Sequence, residues 1–189
     1  MRNLIFFMHV SLDGFVAGVN GEMGWIKVSD EMFDFVGTMT DQADTALYGR
    51  ATYQMMEAYW PTAADQPNAT KHDKEHAAWY KKVSKVVLSK TMNENGLLNT
   101  KIISDHLAEN INSLKKQAGQ NIIIFGSPGA SQSLLNIGVI DEFWLFINPI
   151  ILGQGMPLFK NIRETVKLKL IETKTFSSGV IALHYAKNQ

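Results

Sequence analysis

A chain of 189 residues, 46% of them hydrophobic and 19% charged, has the make-up of an ordinary folded domain with room for one sizeable core. Basic and acidic residues balance at 18 each, so no net field draws the chain to nucleic acid or to an anionic membrane surface. With no cysteine, disulfides, thiolate nucleophiles and cysteine-held zinc are excluded, and no apolar stretch is long enough to span a bilayer.

The first element is the nearly unbroken apolar run Leu4 to Val10, which reads as a central strand. It lacks a small-residue cleavage site and meets Asp13 soon afterwards, so a buried strand is expected rather than a signal peptide, and with it a cytoplasmic location. Ser11-Leu12-Asp13-Gly14 breaks the run, and Gly18, Asn20, Gly21 and Gly24 keep the chain in a loop as far as Trp25. Ser29 is placed to cap a helix with Asp30 and Glu31 in its first turn and Met32, Val36 and Met39 on its apolar face.

Asp44 to Tyr48 reads as a strand, Gly49-Arg50 as a turn, and the next stretch as a helix with Thr52, Met55, Met56 and Tyr59 on one side. Trp60 to Lys74 is polar with two prolines, which predicts a surface loop, followed by a short helix at His76 to Lys82. Strands are expected at Val83 to Ser89 and Lys101 to Ser104, with Asp105 capping a helix whose apolar face is Leu107, Ile111, Leu114 and Ala118. Ile122 to Phe125 is a further buried strand. It runs into Gly126-Ser127-Pro128-Gly129 and a helix carrying Ala130, Leu134 and Ile137, closed by Gly138. Asp141 to Leu152 is another apolar strand. After Phe159 the period changes to two, through Val166, Leu168 and Leu170, a turn at Ser177-Ser178-Gly179, and a return from Val180 to Tyr185. A mostly parallel array closed by an antiparallel hairpin predicts one α/β domain over residues 1–189, a three-layer α-β-α sandwich around a mixed sheet.

Two of these junctions run strand, glycine, helix. Each aims backbone N–H groups and the positive end of a helix dipole at one point beyond the sheet, an arrangement suited to phosphate. At Gly49-Arg50-Ala51-Thr52 a hydroxyl lies in the first helical turn, and a guanidinium stands ready to pair with a second phosphate. Either junction alone is equally a tight turn that needs glycine for its backbone angles.

The segment Gly126 to Phe159 adds a family resemblance. A Gly-rich turn, a small helix with Leu134-Leu135, Gly138-Val139-Ile140-Asp141-Glu142, a strand, and Pro149-Ile150-Ile151-Leu152-Gly153-Gln154-Gly155-Met156-Pro157-Leu158-Phe159 resemble the reductase domain of bacterial riboflavin biosynthesis. That domain belongs to the dihydrofolate reductase-like superfamily, whose fold has the form predicted above. The resemblance implies NADPH as cofactor. Gly49, Arg50 and Thr52 match a Gly-Arg-x-Thr motif that binds its pyrophosphate and 2′-phosphate. Ser89 and Lys90 stand at a strand end that often serves the adenosine ribose phosphate, and Gly126, Ser127 and Gly129 embrace the pyrophosphate from the other side. The family's usual Gly-Gly pair is here Gly126-Ser127, followed by Pro128, which has no N–H to give.

On the catalytic side, Trp25 and Asp30 reproduce the five-residue spacing by which a mobile-loop tryptophan precedes the single acid of dihydrofolate reductases. A carboxylate in an apolar cleft has a raised pKa and can relay a proton, whereas an acid after a serine cap ordinarily complements the helix dipole at the surface. Glu31 and Asp34 are further acids on the same helix. Asp13 stands in Ser-Leu-Asp-Gly, similar to a Ser-x-Asp-Gly of riboflavin-type reductases on the substrate side, and equally a turn former. His72 and His76 have a metal-compatible spacing without a third ligand, and a solvated helix face is the expected reading. The expected activity is hydride transfer to a planar heterocycle, with dihydrofolate reduction and non-catalytic nucleotide binding as the rivals. The expected assembly, by resemblance, is a homodimer.

Overall fold

The computed structural model describes residues 1–188. Eight strands form one sheet: β1 Leu4–Ser11, β3 Ala43–Gly49, β4 Ser84–Leu88, β5 Thr100–Ile103, β6 Asn121–Phe125, β7 Glu142–Asn148, β9 Leu168–Thr175 and β10 Ile181–Lys187. Their order is β5-β4-β3-β6-β1-β7-β10-β9. The six from β5 to β7 are parallel, and β10 and β9 close the edge antiparallel. β1 lies at the centre because nearly all of its side chains are apolar and both of its faces are covered.

Alternation along the strands divides the core in two. Ile5 and Phe7 of β1 face one layer with Met32, Val36, Tyr53 and Tyr80, from helices α1 Asp30–Thr40, α2 Arg50–Ala63 and α3 Lys71–Lys82. Leu4, Phe6 and Met8 face the other, with Ile111 and Leu134 from helices α4 Leu107–Lys116 and α5 Pro128–Asn136. This is the three-layer, mostly parallel arrangement expected from the sequence.

Several local expectations are corrected. The loop expected at Trp60 to Lys74 is shorter. α2 continues through Pro61, which sits in its last turn, and α3 starts at Lys71 because Thr70 and Asp73 form a capping box. The longer α3 turns His72 and His76 inward rather than to solvent. His72 stacks on Phe33 at 3.7 Å between centroids, and His76 lies against Trp60 at 4.1 Å. The α4 cap is His106, in the left-handed region at φ 43°, instead of Asp105, and α4 ends before Ala118. A two-stranded ribbon pairs β2 Phe15–Ala17 with β8 Met156–Pro157, both too short to show periodicity. Among the described residues no helix is long and apolar enough to cross a membrane.

Candidate active site

A cavity of about 1000 Å³ opens at the C-terminal ends of the parallel strands, where open α/β sheets offer their loops to ligands. Residues 7–9 of β1, 49–52, 88–90, 103–107 and 125–130 all face it, and the β2–β8 ribbon contributes Val16, Ala17 and Met156 to its rim.

The two strand–glycine–helix junctions meet there. The Gly49 N–H donates to the Ser127 hydroxyl at 3.0 Å, so the start of α2 is tied directly to the start of α5. A Cβ at Gly49 would stand 3.3 Å from the Ala130 methyl, which explains the glycine by close approach. Gly126 and Ser127 are both left-handed, at φ 60° and 56°. Serine pays conformational strain there, and its hydroxyl offsets this by accepting from Gly49 and donating to the Phe125 carbonyl at 3.3 Å.

The helix ends differ in a way that decides what the cavity suits. α1, α3 and α4 carry Asp30 and Glu31, Asp73, and Glu109 in their first turns, complementing the positive end of each dipole. α2 and α5 carry no acid there; like α4, they also lack a side-chain cap. Of the three helix starts that face the cavity, those of α2, α4 and α5, two are left uncompensated, which is the arrangement that accepts an anion. Arg50 and Lys90 stand beside them. The Arg50 guanidinium donates to the Thr91 hydroxyl at 2.7 Å and pairs with no carboxylate among the described residues. The Ser89 hydroxyl accepts from the amides of Thr91 and Met92 at 3.2 and 3.1 Å, shaping the turn that carries Lys90. All eight residues expected to bind cofactor therefore border one cavity: Gly49, Arg50, Thr52, Ser89, Lys90, Gly126, Ser127 and Gly129. A phosphorylated dinucleotide fits this donor set.

The three expected catalytic residues lie elsewhere. The Asp13 carboxylate accepts from the Ser11 hydroxyl at 2.7 Å and from the amides of Gly153 and Leu152 at 2.7 and 3.1 Å. It clasps the first turn to the Gly-x-Gly loop, and these hydrogen bonds, that of Ser11 foremost, hold its pKa below the usual carboxylate value. Trp25 donates from its indole to the Glu22 carbonyl at 3.0 Å, and its neighbour Ile26 is the residue that reaches the cavity. Asp30 is exposed at the start of α1. Glu31 contacts Ser177 and Lys174, and Asp34 pairs with Lys71 at 3.0 Å. None of these five lines the cavity.

His9 does line it, and the sequence reading assigned it no role. The available signal was one imidazole in an otherwise apolar central strand. Burial pushes its pKa down to about 4, so it is neutral at physiological pH. His76 is pushed down to about 3, first by burial and then by the nearby His72, but it packs between aromatic rings outside the cavity. Among the described residues no three His, Cys, Asp or Glu side chains are grouped to hold a metal.

Known proteins are similar to this chain in sequence and fold. The uncharacterized protein YyaP of Bacillus subtilis is 37% identical over 99% of this chain and 96% of its own length. A crystal structure of a putative riboflavin biosynthesis protein from Shewanella superposes with TM-score 0.78 at 22% identity, over the whole of both chains. Dihydrofolate reductase from Enterococcus faecalis, complexed with NADP(H), superposes with TM-score 0.64 at 14% identity, over 99% of this chain and 97% of that one. The fold is therefore dihydrofolate reductase-like. The model of the RibD C-terminal domain matches residues 2–182, and the chain belongs to that family.

Proposed function

We propose that the chain is an NADPH-dependent reductase that delivers a hydride to a planar heterocyclic acceptor. The family points to the riboflavin-type reaction, reduction of 5-amino-6-(5-phosphoribosylamino)uracil, as the first to assay. The observation that carries the reading is the convergence of two uncompensated helix starts, joined through Gly49 and Ser127, on one cavity beside Arg50 and Lys90. The first-turn amides of α2 and α5 would hold the pyrophosphate, with the Arg50 guanidinium on the 2′-phosphate. Bound reduced nicotinamide supplies the hydride. The chain's own part is to orient the reactants and to keep water from them. Phe7, Met8, Met56 and Phe125 form the dry wall, and neutral His9 is the polar group set into it.

Dihydrofolate reduction is less well supported, because a pterin is held by a carboxylate facing the substrate and the acids of α1 lie outside the lining. Purified protein with NADPH and a panel of pyrimidines and pterins, followed by cofactor absorbance, tests the proposal. Turnover of a planar acceptor is expected. Tight NADPH binding without turnover across the panel would replace it with a nucleotide-binding module. We also propose a homodimer, from the family resemblance. Sedimentation at twice the 21.1 kDa chain mass is expected, and a single-chain mass would refute it.

A further inference from the structure

With no cysteine in the chain, the sulfur open to an oxidant is the thioether of methionine. There are nine methionines, and the fold shelters five of them. Met8 and Met32 are buried, and Met39, Met56 and Met92 are half-buried against the core. The Met56 sulfur is engaged as well, accepting from the Trp60 indole at 3.1 Å. The other four are exposed: Met1 at the chain start, and Met23, Met55 and Met156 at 42%, 45% and 46%.

These last three all border the one large cavity, and they reach it from separate parts of the chain. Met23 lies in the loop between β2 and α1, Met55 on α2, and Met156 in β8. Apart from the terminal residue, every exposed thioether therefore stands at the mouth of the candidate site. An unbranched thioether suits such a rim, because it adapts to the shape of a ligand that it covers. A hydroperoxide changes that property. The sulfur lone pair attacks one peroxide oxygen and the O–O bond breaks. The sulfonium proton then passes to the departing hydroxide, leaving sulfoxide and water. The sulfur loses two electrons and the peroxide gains them. Each sulfoxide puts a strong acceptor among apolar neighbours: Met156 pairs with Ala17 across the ribbon, and Val16 and Ile26 line the same cavity. A ligand that covers that oxygen strips its water and supplies no donor in return.

We propose that Met23, Met55 and Met156 form a peroxide-reactive site, and that their conversion to sulfoxide closes the cavity to its ligand. The identity of that ligand as a dinucleotide rests on the reductase reading. The change is reversible, since sulfoxide is returned to thioether by methionine sulfoxide reductases.

The test adds hydrogen peroxide to the purified full chain and follows every methionine by peptide mass spectrometry. Met1, Met23, Met55 and Met156 should gain oxygen first, and Met8 and Met32 last. Saturating NADP⁺ should slow the three rim residues and leave Met1 unaffected. Once the three are sulfoxide, calorimetry should show NADPH binding weakened about tenfold, as one unmade hydrogen bond implies. Treatment with methionine sulfoxide reductases should restore it. In the triple variant Met23→Leu, Met55→Leu, Met156→Leu, a volume-conserving change, NADPH affinity before and after peroxide should be the same, whatever its starting value. Met32 reacting as fast as Met55, full oxidation of the rim with unchanged affinity, or an equal loss in the triple variant would overturn the proposal. NADPH binding that is equal before and after peroxide defeats the proposal and leaves the reductase reading standing. If the untreated chain does not bind NADPH, the reductase reading fails, and fluorescence of the apolar probe 8-anilinonaphthalene-1-sulfonate decides the proposal. Peroxide should then weaken probe binding in the natural chain and not in the triple variant, and equal behaviour of the two would overturn it.

Discussion

On the proposed function, Arg50 is the residue on which cofactor choice turns. It stands at the first position of α2, exposed, with the Thr91 hydroxyl holding its guanidinium at the cavity mouth. A 2′-phosphate there gains charge-assisted hydrogen bonds that a 2′-hydroxyl does not. Arg50→Ala should weaken NADPH binding about 10- to 100-fold, the equivalent of one or two such bonds, and leave NADH nearly unchanged. Paired calorimetric titrations of the two dinucleotides check this, and an equal loss for both would contradict it. Asp30 is the converse case. It has the sequence spacing of a catalytic acid, yet it is exposed and outside the cavity. Asp30→Asn should leave kcat/KM within about twofold, as for an ordinary surface change. A fall of orders of magnitude would return the acid to the mechanism.

Among the elements, the β2–β8 ribbon gives the Gly-x-Gly motif a structural cause. A Cβ at Gly155 would stand 2.2 Å from the Ala17 carbonyl oxygen, a backbone atom that cannot swing aside. Gly155→Ala should therefore push β8 off β2, lowering stability by about 1–3 kcal/mol and opening the cavity rim at Val16, Ala17 and Met156. Thermal denaturation read beside NADPH affinity checks both effects, and an unchanged melting temperature would contradict the packing argument. The ribbon also shows where the sequence becomes silent. Strands such as Leu4–Ser11 and Asn121–Phe125 are legible because burial on both faces leaves a continuous apolar run. Ribbon strands of three and two residues show no period, and their pairing depends on chain segments about 140 residues apart. The start of α3 was hidden for a different reason. Its capping box lies in a polar stretch with two prolines, and local composition outweighed the Thr70–Asp73 signal. At the site, the glycine junctions were legible because phosphate chemistry needs a recurring residue pattern. His9 was not, because only the folded sheet brings the end of β1 to the cavity.

For the molecule as a whole, the buried charges gather at the end of the sheet opposite the cavity. There Arg2 binds Asp44, Thr45 and the Gln120 carbonyl, and Lys115 binds Asp141 at 2.6 Å and the Val139 carbonyl at 3.1 Å. Satisfied cations close that end, and cations without acidic partners among the described residues stand at the other, where the proposed function places the dinucleotide. Burial also makes stability depend on pH. His9 and His76 titrate near 4 and 3 when folded, against 6.5 when unfolded. The unfolded chain therefore takes up protons first, and their contribution is complete above pH 6.5 and is lost as pH falls towards the folded values. By about pH 4.5 each imidazole should cost roughly 2–3 kcal/mol of stability. Denaturant midpoints measured from neutral pH downwards check this, and a flat profile would contradict it. The central claim, that two separate glycine junctions grip one dinucleotide, is tested most directly by amide chemical-shift mapping during titration with NADPH. The account predicts that the amides of Gly49, Ala51 and Thr52 shift together with those of Gly126, Ser127 and Gly129, along a single binding curve. Shifts confined to one junction, or two junctions that follow different curves, would contradict it.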